Sequence, residues 1–497
     1  HHTYDSIRYF FINKTGQGEK KSNQAIQWRF GKLKTEGSIG RSMTAGNSRD
    51  VSIQSNLNLR MGGYIGDSIE MSAVISDDNL PIQPDGNTQY LRDFDRIFLQ
   101  LRKSRNQVTL GDIDLAERSF NYLSFNKRIQ GIRYDRLNKV EVGKSVATYS
   151  GAIAKGKYFR QILVPLDGNQ GPYRLQGANN ELYLIILAGS ERVYYDGELL
   201  QRGQDQDYTI DYNTAEIFFM PKRPINKDRR IQVEFEYAER NYVNSVFYFK
   251  NDFTISPNLS LSAGYYRLGD AKNSRIDQPL SFREKEKIAL VGDSLSAAYL
   301  ESALEDSYSL GKILYQKKDT VFNGIHDSVF VYSNTPADKL YKVEFVFLGA
   351  GKGDYVSVGS SSNGKIFKWV APSPDQKKSG QWAPVRLLIT PKMQELAVVN
   401  TEWKPGKEWV INNELAYSKN DVNLFSAKDK ANDVGFAGKL SFQKKWEKQR
   451  LLKQQHEINF AGSFENINSN FTSTERIRTV EFYRDWSIGW VATPEQE

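Results

Sequence analysis

The sequence contains no cysteine, which excludes a disulfide scaffold and any metal site built on thiolates. No run approaches the roughly 20 consecutive apolar residues of a transmembrane helix, so a helical membrane protein is excluded as well. Charge of one sign is not concentrated anywhere, because 67 basic and 59 acidic residues are spread along the chain. A basic stripe and a recognisable nucleic-acid-binding module are both missing, and we therefore expect no nucleic-acid partner.

Aromatic residues, in contrast, are abundant, with 27 tyrosines and 27 phenylalanines among the 497 residues. Both favour β-strands, and tyrosine also suits a membrane–water interface. From Val51 to Met61 the odd positions are mostly apolar, whereas the even positions carry serine, amides and an arginine. This period-2 alternation predicts a strand with one apolar and one polar face. After a Gly/Asp turn the alternation repeats from Ile69 to Ile75 and predicts a second strand.

Two alternating strands of about ten residues joined by a short turn are the unit of a transmembrane β-barrel. They are equally the unit of a soluble meander, and the hairpin alone leaves both open. The alternation returns after Asn241 and again after Trp409, on both sides of stretches with a different pattern. One such stretch contains the continuous apolar run Leu182–Ala188, which predicts a strand buried on both faces. The recurrence favours a barrel that carries inserted domains.

The residue pattern divides the chain into alternating barrel-like segments and inserts. We predict first barrel strands in 1–154, an inserted β-domain in 155–240, further barrel strands in 241–270, a polar connection with a possible helix in 271–316, a second inserted β-domain in 317–400, and barrel strands again in 401–497.

Three segments are distinctive: Gly37-Ser-Ile-Gly-Arg-Ser, Ser76-Asp-Asp-Asn-Leu-Pro-Ile-Gln-Pro-Asp-Gly-Asn-Thr, and Gly189-Ser-Glu-Arg-Val-Tyr-Tyr-Asp-Gly-Glu-Leu-Leu. They resemble segments of very large outer-membrane proteins of Bacteroidetes-type bacteria. The translocon barrel of the type 9 secretion system carries similar segments. The resemblance implies an outer-membrane β-barrel with folded inserts and leaves open whether the protein exports other proteins. The last segment lacks a terminal aromatic-ended strand, so we expect the N-terminal part of a longer barrel protein.

These observations predict an all-β fold: a large antiparallel transmembrane β-barrel with inserted β-sandwich-like domains, in the bacterial outer membrane. The expected partners are outer-membrane lipid and other envelope proteins in a complex, with no cofactor and no metal. The alternation assigns one set of side chains to lipid and the other to the lumen. The expected lipid-facing residues are Val51, Ile53, Leu57 and Leu59, and the expected lumen-facing residues are Gln54, Asn56, Asn58 and Arg60.

Catalytic and metal-binding motifs are weak. Gly292-Asp-Ser294 resembles a serine-hydrolase nucleophile motif, but neither His326 nor His456 has an aspartate three residues before it to orient it as the base. His326-Asp327 has no second histidine nearby, and Asp77-Asp78 with Asp85-Gly-Asn does not fit a calcium-binding loop. Gly349-Ala-Gly-Lys-Gly-Asp lacks the lysine–serine/threonine pair of a phosphate loop and predicts a hairpin turn.

The function favoured by the sequence is therefore non-enzymatic: a conduit or translocation scaffold for protein or another macromolecule. The alternative is a cell-surface adhesion or assembly β-protein without a pore, and an enzyme acting on glycans ranks third because no acidic pair stands out. The insert 155–240 could plug the lumen or project from a loop, and the sequence does not decide between them. The second insert is expected to project as a binding or docking module.

Overall fold

The computed structural model describes most of the chain, with gaps in several connections. The described residues are 26–30, 33–46, 49–78, 96–140, 143–154, 156–178, 184–238, 241–276, 279–309, 311–322, 325–333, 335–336, 339–361, 364–373, 375, 377–447 and 457–487. The chain divides into two compact units. Unit 1 comprises His1–Asp277, Lys392–Asp421 and Lys430–Glu497, and unit 2 comprises Gln278–Pro391 and Val422–Asp429.

Unit 1 contains a fourteen-stranded antiparallel sheet in which neighbours in the sheet follow one another along the chain. Strands are numbered along the whole chain, so the inserts account for the missing numbers. The strands of this sheet are β1 (Ile26–Phe30), β2 (Leu33–Gly46), β3 (Arg49–Ile65), β4 (Ile69–Asp78), β5 (Arg96–Lys103), β6 (Asn106–Glu117), β7 (Phe125–Val140), β8 (Gly143–Ala154), β16 (Tyr242–Ser256), β17 (Leu259–Arg275), β28 (Met393–Gly406), β29 (Trp409–Asp421), β30 (Val434–Glu447) and β31 (Glu457–Ile467). The prediction of an all-β fold with a large antiparallel sheet is confirmed.

The connections of this sheet differ at its two ends. At one end the strands β3 and β4, β5 and β6, β16 and β17, and β28 and β29 are joined by tight turns. Two of these turns need a positive φ, at Gly66 and at Ser104. The other end carries the longer connections. They are residues 118–124, the insert after β8 and the residues that follow β17, β29 and β31. The long additions of the chain therefore leave the sheet at a single end.

The two faces of the sheet differ in burial. Along β16 the burial alternates, with Val246 and Tyr248 buried and Phe247 exposed. We call the face of Tyr248 the inner face and the face of Phe247 the outer face. Directly paired residues of neighbouring strands lie on the same face of a sheet. The register therefore assigns the residues of the other strands to the inner or the outer face. Strict alternation in sequence is thus matched by alternation in exposure.

The first insert is a two-sheet β-domain in unit 1. Its strands are β9 (Lys157–Leu163), β10 (Tyr173–Arg174), β11 (Arg192–Tyr195), β12 (Glu198–Leu199), β13 (Tyr208–Asp211), β14 (Glu216–Phe219) and β15 (Ile231–Tyr237). They form a four-stranded sheet, β12-β11-β15-β9, and a three-stranded sheet, β10-β14-β13, with an aliphatic and aromatic core. The prediction of a strand from Leu182 to Ala188 is wrong for its described part, which makes one isolated bridge at Ile186. Its apolar residues Leu184 and Ile186 fill the core without a ladder, while Ile185 is exposed.

Unit 2 is a second β-rich body with one helix. Its strands are β18 (Tyr299–Glu301), β19 (Leu304–Asp306), β20 (Leu314–Phe322), β21 (Ile325–Ser333), β22 (Leu340–Lys342), β23 (Val346–Phe347), β24 (Tyr355–Ser361), β25 (Gly364–Trp369), β26 (Trp382–Ala383) and β27 (Val385–Leu387). Helix α1 spans Phe282–Val291 and begins with a capping box, in which Ser281 and Glu284 bond each other's backbone N–H groups. Two four-stranded sheets surround an aromatic core that includes Tyr315, Phe330 and Phe367.

The predicted bounds of the second insert, 317–400, require correction. Unit 2 begins at Gln278, so the helix expected in the polar connection 271–316 belongs to it. Residues 393–400 belong to β28 of the large sheet, where their alternation pairs with β17. The segment 401–497 is not barrel-like throughout, since residues 468–487 are irregular and contain the short helix α2 (Phe482–Asp485). The predicted hairpin turn at Gly349 is a turn between β23 and β24, which pair with β26 rather than with each other. Within the described ranges, no helix has the length and apolarity that a membrane crossing requires.

Candidate functional site

The outer face of the large sheet is apolar and exposed. Its exposed large side chains belong to eight strands, from β5 to β31 and including both strands that flank the first insert. They are Ile97, Ile132, Tyr149, Ile153, Val243, Phe247, Phe253, Val399, Trp403, Leu415, Phe436, Leu440, Phe460 and Phe464. Monomeric soluble proteins rarely expose apolar patches beyond a few hundred Å². An apolar surface that extends over so many strands is typical of a protein face that contacts lipid or another apolar partner.

The polarity of the inner face changes along the strands. Three successive rows of register partners in β17, β28, β29, β30 and β31 show this change. The apolar row consists of Gly264, Val398, Ala416, Ala437 and Ile467. The next row towards the tight turns, the anchor row, consists of Ser262, Asn400, Glu414, Lys439 and Glu465. The row after that, the polar row, consists of Ser260, Glu402, Asn412, Ser441 and Ser463.

The connection between β6 and β7, residues 118–124, lies on the inner face, and we call it the inner loop. The amide of Asn121 and the backbone N–H of Tyr122 donate hydrogen bonds to Glu414 of β29, at 2.8 and 2.9 Å. The hydroxyl of Tyr122 donates to Glu465 of β31 at 2.9 Å. Glu414 is only 1% exposed, so its carboxylate depends on these donors in place of water.

These bonds require the sheet to curl. β29 lies six strands from β6 in the sheet order, which is about 29 Å along a flat sheet at ~4.8 Å per strand. Tyr122 follows the end of β6 by five residues, and five residues reach about 17 Å at most. Its backbone N–H could not meet Glu414 across a flat sheet. The sheet of unit 1 therefore bends until β6 and β29 face each other across the inner loop.

The apolar row is shaped to receive the inner loop. Phe120, Tyr122 and Leu123 join one buried cluster with inner-face residues of β6, β7, β16, β17, β28, β29 and β30. Gly264 leaves the space that this packing needs, because a Cβ there would lie 2.9 Å from the ring of Phe120 and 3.1 Å from Leu123. Such contacts are closer than side chains tolerate in a packed interior. The inner loop thus fills a site that the small residues of the sheet leave for it.

The first insert is attached to the rest of unit 1 by ion pairs. The ammonium of Lys127 at the start of β7 lies 2.8 Å from Glu236 of β15, and both side chains are less than 10% exposed. The residues after β31, 468–486, contribute further pairs, and we call them the strap. Arg476 of the strap lies 2.8 Å from Glu234, and Glu475 lies 3.0 Å from Arg192. β15 is buried at every position because its polar face is covered in this way.

The strap also contacts the sheet and the inner loop. Phe471 packs edge-on against Tyr122 with ring centroids 5.6 Å apart, and Arg478 pairs with Glu465 at 2.6 Å. The hydroxyl of Thr474 donates to the carbonyl of Ser124 at 2.7 Å. Sheet, inner loop, strap and insert therefore form one connected set of contacts at the end from which the long connections leave.

Within the insert, a buried carboxylate is held ionised. Desolvation raises the pKa of Asp207, but hydrogen bonds from the backbone of Gln201 and from Arg223 outweigh it, so that the pKa is lower than usual. The guanidinium of Arg223 lies 2.9 Å from Asp207 and 2.7 Å from Glu198. Burial also raises the pKa of Tyr208, whose hydroxyl contacts Glu191. These groups are satisfied within the insert and fix its loops.

The residues that the sequence assigned to lipid and lumen lie on β3. Val51, Ile53, Leu57 and Leu59 alternate along it with Gln54, Asn56, Asn58 and Arg60. The side chains of residues 51–57 lie outside the described residues. Of the remainder, Asn58 and Leu59 are half-buried, and Arg60 is exposed. Leu59 pairs with Ile75 of β4, which pairs with Ile97 of β5 on the outer face. The assignment to lipid and lumen stays a prediction.

The weak catalytic and metal motifs are not assembled into a site within the described residues. Ser294 is exposed just after the end of helix α1, and His326 is in β21, with its side chain outside the described residues. His456 and Asp85–Asn87 also lie outside them, as do the side chains of Asp77 and Asp78. No group of three or more histidine, aspartate and glutamate residues that could hold a metal ion occurs in the described part of the chain.

Sequence reasoning missed the inner loop and the strap. The sequence 118–124 carries Phe120, Tyr122 and Leu123 between two alternating strands, which is more apolar than a solvent-exposed turn. That composition is the available signal, since a short exposed connection is usually polar. Its partners Glu414 and Glu465 give no local signal, because they lie about 300 residues further along the chain.

Comparison with known proteins yields one family match, which covers the first insert. A family described as a domain of unknown function, DUF8818, matches residues 158–239. No curated protein matches the chain.

Several solved structures align with most of the chain at low similarity. A loop L8 deletion mutant of OmpT, an outer membrane protein of Vibrio cholerae, is 7% identical over 87% of this chain and 95% of that one, with a TM-score of 0.21. Acinetobacter baumannii OccAB1 is 9% identical over 88% and 90% of the two chains, with a TM-score of 0.16. A BenF-like porin from Pseudomonas fluorescens Pf-5 is 8% identical over 88% and 93%, with a TM-score of 0.16.

Proposed function

We propose that unit 1 is a β-barrel of the bacterial outer membrane and that it forms a conduit whose interior is closed in this conformation. The carrying observation is the division of one continuous sheet into an exposed apolar outer face and an inner face with polar rows. In a soluble protein the outer face of the sheet would contact water. The fourteen large apolar side chains exposed there would then favour aggregation. In lipid the same surface is stabilising.

The dimensions of the outer face support a membrane span. In β29 the outer-face residues from Trp409 to Tyr417 are apolar apart from Asn413, and they cover nine residues. Transmembrane strands need about 9–11 residues to cross the hydrocarbon core. Beyond Tyr417 the outer face turns charged, with Arg267 of β17 3.5 Å from Glu395 of β28. Trp403, Trp409, Tyr265 and Tyr417 lie near the two borders, as aromatic residues of membrane interfaces do.

The polar row supports a hydrated interior towards the tight turns. None of its five residues is buried, although each faces the inner side of a curled sheet. Outer-membrane barrels typically have short turns on the periplasmic side and long connections outside. We assign the tight turns to the periplasm accordingly, so that the hydrated part opens there and the inner loop, strap and insert lie at the outer side.

We infer protein or another macromolecule as the transported material, in a complex with other envelope proteins. Support comes from the resemblance of the sequence to the translocon barrel of the type 9 secretion system and from the size of the sheet. A barrel of fourteen strands would enclose more interior than barrels of eight strands, which are filled by their own side chains.

The membrane assignment is tested by adding a charge to each face of β29. Leu415→Lys places an ammonium in the middle of the outer apolar face, where Leu415 is 57% exposed. Lysine at the bilayer midplane costs about 2–4 kcal/mol, so we expect weaker folding into lipid vesicles and a larger unfolded fraction on heat-modifiability gels. Asn412→Lys is the matched control, because it adds the same charge to the polar row of the same strand. Equal effects of the two variants, or a freely soluble wild-type monomer, would refute the assignment.

A further inference from the structure

We propose that the inner loop, residues 118–124, is the stopper of the conduit, and that its release from the anchor row opens the interior. This inference rests on the proposed function and sharpens it. The sequence suggested the insert 155–240 as a possible plug of the lumen. We instead assign the closing of the lumen to a loop of seven residues.

The inner loop lies deeper in the sheet than the insert does. The apolar side chains of the inner loop share one buried cluster with seven strands of the sheet. The apolar side chains of the insert form a separate cluster of their own. The insert reaches the sheet through Lys127 at the start of β7 and through the strap, and its core residues do not enter the cluster around Phe120. Removing the insert would therefore leave the inner loop in place.

The anchors of the inner loop are polar and reversible. The inner loop crosses the interior by bonding to Glu414 and Glu465, which belong to strands six and eight positions from β6. Charge-assisted hydrogen bonds of this kind are roughly twice as strong as neutral ones. They can exchange for water once the apolar contacts of the inner loop are lost. Asn400 adds a third donor to Glu414, at 3.0 Å, from the sheet itself. The carboxylate thus keeps one partner when the loop leaves.

The wall beneath the inner loop is fitted to it. Gly264, Ala416 and Ala437 are small residues in the apolar row. Gly264 faces Phe120 and Leu123, and Ala416 and Ala437 belong to the same buried cluster as the inner loop. A barrel wall that only contacts water does not require small apolar residues. Here a row of such residues lies four residues along the strands from the polar row. Their presence marks a seat for the rings of Phe120 and Tyr122.

The experiment measures conductance in planar bilayers with the full chain. Phe120→Ser with Leu123→Ser removes the apolar contacts of the inner loop, and we expect stepwise channels that the wild type lacks. A milder pair, Asn121→Ala with Tyr122→Phe, removes three hydrogen bonds to the anchor row while keeping the aromatic rings. It covers the case in which the serine variant does not fold. A deletion of residues 157–240 bridged by glycine and serine is expected to remain closed.

Because the chain has no cysteine, a site-specific lock is available. Lys439 of the anchor row lies 3.3 Å from the amide oxygen of Asn121. In the Phe120→Ser, Leu123→Ser background, Asn121→Cys and Lys439→Cys joined by a short cleavable crosslinker should abolish the channels. Cleaving the linker should restore them.

The outcomes separate the two proposals. If the insert deletion opens the channel and the loop variants do not, the stopper assignment is wrong and the conduit survives. If correctly folded loop variants reach the bilayer and remain silent, the stopper assignment is equally overturned. If the wild-type protein does not enter the bilayer at all, the conduit itself fails.

Discussion

The buried pair of Lys127 and Glu236 offers a sharp test of how the insert is attached. With 2.8 Å between ammonium and carboxylate and both side chains nearly inaccessible, Lys127→Met leaves Glu236 charged and desolvated in the attached state. Breaking a buried pair from one side costs about 3–5 kcal/mol. Detachment returns Glu236 to water and recovers that cost. The population of detached insert should therefore rise by about 10² to 4 × 10³-fold, since 1.4 kcal/mol is a factor of ten.

Thiol labelling can read that population. Gln232→Cys places a single thiol on the polar face of β15, which is covered while the insert is attached, so that Gln232 is only 9% exposed. When attachment and detachment are fast, the labelling rate is proportional to the detached fraction. We expect Lys127→Met to accelerate labelling strongly and Lys127→Met with Glu236→Leu to reverse most of the effect, because an apolar pair of similar size replaces the ions.

An exposed ion pair supplies the control. Arg102 and Glu70 lie 3.8 Å apart, and both side chains are more than half exposed. Exposed pairs contribute between zero and about 1 kcal/mol, so Arg102→Met should leave the labelling rate of the Gln232→Cys thiol almost unchanged. If Lys127→Met accelerates labelling no more than Arg102→Met does, the insert is not held by this pair and the attachment argument is wrong.

Two further predictions concern packing and pH. Gly264→Val should destabilise unit 1 by about 1–3 kcal/mol in urea unfolding, because its side chain overlaps Phe120, whereas Gly151→Val, with open space around its Cβ, should change little. The insert should lose stability on acidification, because the folded pKa of Asp207 lies below its unfolded value: the stabilisation is complete above about pH 4 and disappears as the pH falls through the folded pKa. Asp207→Asn should remove this part of the pH dependence in a thermal-unfolding series, and a series that keeps it would exclude Asp207 as the cause.

Local pattern predicted the strands well and the interior poorly. The alternation from Val51 to Met61 and the Gly/Asp turn after it correspond to β3, Gly66 and β4, because period and turn chemistry act over a few residues. The helix expected in the polar connection 271–316 is also present, as α1 (Phe282–Val291). The capping box of Ser281 and Glu284 at its start is a local sequence signal that the prediction did not use.

What failed depends on distant contacts. The run from Leu182 to Ala188 has the composition of a buried strand, yet its described part packs into the core of the insert almost without ladder bonds. The end of the second insert was misplaced because residues 393–400 alternate like any strand, and only their pairing with β17 assigns them to the large sheet. The contacts of residues 118–124 across the interior could not be read at all, since Tyr122 and Glu465 are 343 residues apart.

That separation has a consequence for biogenesis. Contacts between residues far apart in sequence form late, because the intervening chain must be ordered first. The inner loop emerges early in synthesis, but its seat is complete only after β29, β31 and the strap have been made. Phe120 and Leu123 must spend that interval without their final neighbours. A chaperone that shields newly exported strands would therefore have a specific early task at this loop, and assembly intermediates should be recognisable by its susceptibility to protease.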